Sequence, residues 1–126
     1  MTMSNAVGWF DIYVQDMARA VQFYEQVLQQ QLERLPDPTG ETETMAFSTE
    51  MTRYGAGGAL VKARHGRPGG GGTLVYFSVT DCAVEAARVV KAGGKLLRDK
   101  TSIGEFGWIC LCEDTEGNPF GLSSMQ

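Results

Sequence analysis

A chain of 126 residues, 43% of them apolar, has the size of one domain and the material for a core of its own. Its formal charge of -4 and sequence pI near 4.9 argue against an electrostatic grip on nucleic-acid phosphates or anionic lipid. No apolar run reaches the roughly 20 residues of a membrane span, and the opening MTMSNAVGW has neither the basic nor the apolar region of a leader, so a cytoplasmic protein is expected.

The first predicted element is a strand within GWFDIYVQD, residues 8–16. Phe10, Ile12 and Val14 alternate with Trp9, Asp11 and Tyr13, so one face is apolar and suited to a core. The other face carries two large rings around a carboxylate, where an exposed strand ordinarily carries Lys, Thr or Glu, and it reads as the wall of a binding surface. Asp16 then stands where a side chain can cap a helix. In MARAVQFYEQVLQ, residues Met17, Ala20, Val21, Tyr24 and Leu28 form one apolar stripe over about three turns. TMAFST and GGALVKA follow as extended segments, and HGRPGGGG, residues 65–72, reads as a linker without side chains to pack.

The second half repeats the first. TLVYFSVTD, residues 73–81, matches the opening strand at the offset that carries Val14 onto Val79 and Asp16 onto Asp81. Val75, Phe77 and Val79 take one face, Leu74, Tyr76 and Ser78 the other. CAVEAARVVKAGG gives a second helix, with a stripe through Cys82, Ala86, Val89 and Val90 and a stop at Gly93 and Gly94. KLLRDK, GWICLCED and PFGLSS are the remaining extended segments. The chain is therefore an α+β protein of two tandem βαβββ modules: about 6–64, the linker 65–72, and about 73–124 of a single domain spanning 1–126. Three cysteines, an odd number, predict reduced thiols, and Cys110-x-Cys112 without a second pair reads as buried small hydrophobes.

The repeat, DMARAVQFYEQVL after the first strand and DTEGNPFGL near the end resemble the vicinal oxygen chelate superfamily, which includes glyoxalase I, extradiol dioxygenases and bleomycin-resistance proteins. Within it, the chain is similar to small glyoxalase-related proteins that begin with a Trp-Phe-acidic-Ile strand, over about residues 6–124. The resemblance implies a curved mixed sheet forming a cup, with helices on the convex side and ligand on the concave side. Phe10, Ile12 and Val14 would then lie under the helix. Trp9, Asp11, Tyr13, Leu74, Tyr76, Ser78, Pro119, Gly121 and Ser123 would line the cup. Trp108 is placed in or near it, and Phe120 against the second helix.

Enzymes of that superfamily hold a divalent metal with His and Glu side chains. Carried over one position at a time, the first-strand ligand falls on Trp9 and its counterpart in the second module on Leu74. The last-strand Glu falls on Gly121, and the remaining ligand falls within Gly57–Val61. An indole nitrogen only donates, and Leu and Gly have no side-chain lone pair, so neither a metal nor another cofactor is expected. His65, the single histidine, lies in the linker and reads as a solvated loop residue.

Two functions remain. One is a metal-free binding protein whose aromatic cup holds a small, partly apolar or aromatic molecule, with Asp11 and Ser78 as polar handles. The other is an isomerase or lyase related to lactoylglutathione lyase, acting on a small carbonyl compound with Asp11 as acid or base. Asp11 could equally pair with a neighbouring Lys or Arg or sit at a dimer seam, and a structural dimer whose cup is filled by its own side chains is a third possibility. A homodimer is expected from the resemblance, with a small molecule as partner and neither nucleic acid nor membrane.

Overall fold

Alternation in the sequence becomes the strand β1 (Val7–Tyr13), and the Asp16 carboxylate ends it by accepting the Arg19 N–H at the start of α1 (Met17–Leu28). Then come β2 (Glu33–Leu35), β3 (Thr42–Ala46) and β4 (Gly57–Ala63), followed by β5 (Thr73–Ser78), α2 (Cys82–Lys91), β6 (Lys95–Ser102), a 3-10 turn at Gly104–Phe106, β7 (Trp108–Glu113) and β8 (Pro119–Ser124). This computed structural model describes residues 5–50, 52 and 54–126; residues 1–4, part of the stretch from which the lack of a leader was read, lie outside it. No helix among the described residues is long and apolar enough to cross a membrane.

The chain forms two compact units, one of residues 9–74 and one of residues 75–126 with the segment before Trp9. In the first, β1 runs parallel to β4, and β3 is antiparallel to both β4 and β2, giving the order β2-β3-β4-β1. In the second, β5 is parallel to β8, with β7 antiparallel to β8 and β6, giving β6-β7-β8-β5. The two orders are the same pattern, so the sequence repeat is a repeat of topology. β2 escaped the sequence reading because its three residues are too few for alternation to show.

Each unit builds its core between one helix and one sheet face. Met17, Leu32 and Leu60 are buried, with Ile12, Val14, Ala20, Val21, Tyr24, Met45 and Phe47 packed on them. Phe10 joins the same side through Phe47, whose ring centroid is 5.8 Å away. Leu28, expected in the stripe, is exposed: Gln29 turns the chain into the left-handed region (φ 56) and Leu32 enters the core instead. In the second unit Cys82, Ala86, Cys110, Cys112 and Leu122 are buried, with Phe77, Val79, Val89 and Phe120 around them. Val90, also expected inward, is exposed, being on the flank of the helix beyond Val89. The three thiols are unpaired and buried. Burial pushes the Cys110 thiol up to about 12, with Cys82 adding to the shift, so it stays protonated.

Asp37 organises the turn before β3. Its carboxylate accepts from the backbone N–H groups of Thr39, Glu41 and Thr42 and from both threonine hydroxyls, at 2.6–3.0 Å. Partial burial opposes ionisation, but these hydrogen bonds outweigh it and hold the group down to about 2 against an ordinary 3.8. A carboxylate depressed on folding contributes stability above its unfolded value and loses it as pH falls through the folded value. Asp37→Asn is therefore expected to flatten the loss of stability between about pH 4 and pH 2, read as urea midpoints across that range. A profile identical to the parent's would show that the turn contributes nothing there.

Candidate functional site

In the first unit the sheet face turned away from α1 follows from register, because residues paired across strands share a face. Trp9 stands beside Gly57, Asp11 beside Ala59 and Tyr13 beside Val61. Ala59 in turn pairs with Ala46, and Val61 with Thr44. The expected division of β1 therefore holds within this unit, with Phe10, Ile12 and Val14 on the core side.

Asp11 is the polar centre of that face. Trp9 donates its indole N–H to Asp11 Oδ1 at 2.9 Å, which fixes both side chains. The indole also lies across Gly57: a Cβ there would be 2.9 Å from the ring and 2.6 Å from Thr49, so only glycine lets the ring settle on the strand. Trp9 is half-buried, whereas Asp11 and Tyr13 are each only 9% exposed. Burial, with the Asp11 charge adding, pushes the Tyr13 phenol up to about 12, so Tyr13 is neutral at any physiological pH.

The linker does more than the sequence suggested. The Tyr13 N–H donates to the Gly72 carbonyl at 2.8 Å, and Gly66 packs on the Tyr13 ring so closely that a Cβ would fall 2.0 Å from it. His65 stands edge-on to the same ring, with centroids 5.7 Å apart. The segment 65–72 is thus fastened over Tyr13 at both ends, correcting the expectation that it has nothing to pack. His65 is exposed, as expected, but its position beside Tyr13 was not legible; the glycine after it, permitting close approach, was the only signal.

Elsewhere, parity again decides. Leu74 is buried, 5% exposed, and Tyr76 is buried opposite Gly121 in the β5–β8 register. Ser78 is exposed, its hydroxyl filling the space where Gly8 has no side chain. Trp108 corrects an expectation: it shares its face of β7 with Cys110 and Cys112, so it lies on the α2 side. There the Lys100 ammonium sits 5.1 Å above its ring and pairs with Asp81 Oδ1 at 3.0 Å. That hydrogen bond, together with the one Asp81 accepts from the Ala83 N–H to cap α2, holds the Asp81 carboxyl below its usual range. Asp114 and Glu116 form the turn before β8, with Asp114 accepting from the N–H groups of Glu116 and Asn118. A groove of about 840 Å³ runs along the opposite, α1 side of the first unit, past Met17, Val21, Gln26, Arg34 and Met45, and includes none of the expected ligand-binding residues.

The positions expected to hold a metal can be tested directly. Trp9 directs its N–H at Asp11 and offers no lone pair. Leu74 is buried hydrocarbon, and a Cβ on Gly121 would lie 2.2 Å from the Tyr76 ring, so no side chain fits there. Ala59, Leu60 and Val61 carry no donor atom, and no cluster of three His, Cys, Asp or Glu side chains suited to a metal occurs among the described residues. The donor set does not fit a divalent ion.

The architecture is shared with solved structures. Methylmalonyl-CoA epimerase from Mycobacterium tuberculosis superposes with a TM-score of 0.69 at 14% identity, over 96% of this chain and 88% of that one. A variant of the Streptomyces coelicolor methylmalonyl-CoA epimerase, in complex with 2-nitronate-propionyl-CoA, gives 0.67 at 17% identity over 94% and 96%. A hypothetical protein from Bacillus halodurans gives 0.70 at 12% identity over 98% and 96%. At such identities the likeness is one of fold. No curated protein sequence matches the chain. The sequence profile of the Glyoxalase/Bleomycin resistance protein/Dioxygenase superfamily matches residues 6–122, nearly the whole chain, and the chain belongs to that superfamily.

Proposed function

We propose that this protein binds a small, partly apolar or aromatic molecule without a metal, on the sheet face that carries Trp9, Asp11 and Tyr13. The observation that carries the reading is the 2.9 Å bond from the Trp9 indole to Asp11. A half-buried ring held in place by a carboxylate gives flat apolar area beside a fixed acceptor, the combination that orients small ligands. The alternative, an isomerase or lyase acting on a small carbonyl compound, draws support from the same carboxylate and from neighbours named as epimerases, and would use Asp11 as acid or base. Binding is favoured because the positions that relatives use for a metal hold an indole, a leucine and a glycine.

Trp9→Ala is expected to remain folded by circular dichroism and to bind benzyl alcohol about fivefold more weakly than the parent, an aromatic contact being worth about 1 kcal/mol. EDTA is expected to leave both thermal midpoint and probe affinity unchanged. Equal affinity of parent and variant, or a midpoint that falls in chelator, would overturn the proposal.

A further inference from the structure

We infer that the groove on the α1 side of the first unit is a second binding site, for a neutral oligosaccharide. It lies across the sheet from Trp9 and stands independently of the binding role proposed above. With a volume of about 840 Å³, the groove has the usual size of a ligand site and runs between α1 and the α1-facing residues of β2 and β3. Composition supplies the first argument. Of the chain's seven glutamines, Gln22, Gln26, Gln29, Gln30 and Gln31 line this groove, and only Gln15 and Gln126 lie elsewhere. A helix surface that needs only solubility ordinarily carries Lys and Glu in pairs. Gln22 and Gln26 are one turn apart on α1 and Gln29 caps its end, so their amides edge the groove over about 10 Å.

Hydrogen bonding supplies the second argument. The charged groups of the groove are already engaged: Glu25 Oε2 accepts the Leu32 N–H at 2.8 Å, and Arg34 of β2 faces Glu43 of β3 at 3.5 Å. Charge therefore gives a ligand little to recognise, and amides take its place. Gln22, Gln26 and Gln31 are exposed, and their side chains have no partner among the described residues. Gln30 spends its side-chain carbonyl on the Ser48 N–H at 3.2 Å and keeps its own two N–H donors. An amide donates and accepts in one plane, a sugar hydroxyl likewise does both, and the guanidinium fork of Arg34 suits two neighbouring hydroxyls. Met17, Val21 and Met45, drawn from the core cluster, give the apolar floor against which the C–H face of a sugar ring can lie. A peptide fits less well. A strand needs a sheet edge, of which β2 offers three residues, and an amphipathic helix needs a run of apolar anchors where this groove has polar edges on both sides.

The test follows the side-chain amide signals of the full chain by NMR during titration with maltotriose, cellotriose and N-acetylated chitotriose, each up to about 10 mM. Trigalacturonate, an anionic trisaccharide, and acetyl-trialanine amide, a neutral peptide, serve as comparisons. At least one neutral trisaccharide is expected to shift the signals of Gln22 and Gln26 and to bind more tightly than either comparison compound. Gln22→Ala and Gln26→Ala are each expected to weaken that binding about fivefold, the loss of one ordinary hydrogen bond, whereas Gln15→Ala leaves it unchanged. Should either groove variant fail to fold, the pattern of shifted signals on the parent decides alone. No binding of any neutral trisaccharide overturns the proposal, as do shifts confined to the Trp9 indole, which would move the sugar to the other face. Equal or tighter binding of trigalacturonate or of the peptide overturns the carbohydrate assignment. Unchanged affinity in both groove variants overturns the role of the amides and the proposal with it.

Discussion

Leu60→Ala is expected to lower the unfolding free energy by about 2–5 kcal/mol, the range for deleting a fully buried aliphatic side chain. Leu60 is 0% exposed and lies on the central strand β4, with Met17 of α1 and Leu32 in contact around it. Truncation removes apolar surface from the middle of the helix-to-sheet layer, and both α1 and β4 are fixed by backbone hydrogen bonds, so the cavity cannot close by sliding one element. The control is Val27→Ala on the same unit. Val27 is 59% exposed, and its truncation is expected to stay within about 0.5 kcal/mol of the parent. Urea unfolding followed by circular dichroism measures both. A Leu60→Ala loss no larger than that of Val27→Ala would mean that this layer is not the core of the unit.

The second large effect is expected at Gly121. Placing glutamate there restores the carboxylate that the resemblance assigns to the last strand in metal-binding relatives, but the space is taken. Its Cβ would lie 2.2 Å from Tyr76 Cδ2 and 2.4 Å from Cε2, with β5 and β8 held in register by the Tyr76–Gly121 pair. The ring must leave or the strands must part, and overpacking of this kind costs about 1–3 kcal/mol or more. Gly121→Glu is therefore expected to be destabilised without gaining zinc or nickel affinity by calorimetry. A double-mutant cycle isolates the cause: Gly121→Ala should cost less in a Tyr76→Ala background than in the parent, since the clash has gone. Equal costs in the two backgrounds would place the strain elsewhere, and a tight metal site in Gly121→Glu would show that Tyr76 yields readily.

Period and repetition made most of the fold legible. Alternation in residues 8–16 and 73–81 survives as β1 and β5, and the two aspartates that follow them cap α1 and α2 through the Arg19 and Ala83 N–H groups. Helix ends were harder. Leu28 and Val90 fit a helical stripe on paper, but a stripe cannot show where the chain leaves the helix, and Gln29 does so by adopting a conformation rarely taken by residues other than glycine or asparagine. Trp108 shows a different limit. Its face was fixed by Cys110 and Cys112 two and four residues later, which the reading had already placed in the core, so strict parity would have turned it toward α2. The positions of Trp9 and Asp11 were readable from alternation, whereas their hydrogen bond was not, because strand period gives direction and not distance. The approach of His65 and Gly66 to Tyr13 depends on how a loop returns, which no local pattern encodes.

The outer strand β6 bears on how the protein behaves when crowded. It pairs with β7 on one side only, and its register slips twice, between Leu96 and Arg98 and again between Arg98 and Thr101, each time by one extra residue on β6. Leu96 and Leu97 are exposed there, so a straight strand with this sequence would offer an incoming chain both free backbone groups and greasy side chains. The two bulges break the even spacing of those groups, and Lys95, Arg98, Asp99 and Lys100 interrupt the apolar run with charge. In the other unit, the edge strand β2 is only three residues long. Neither edge presents a template on which a further strand can be laid, which guards a small acidic protein against fibril growth and leaves any pairing of copies to side-chain surfaces.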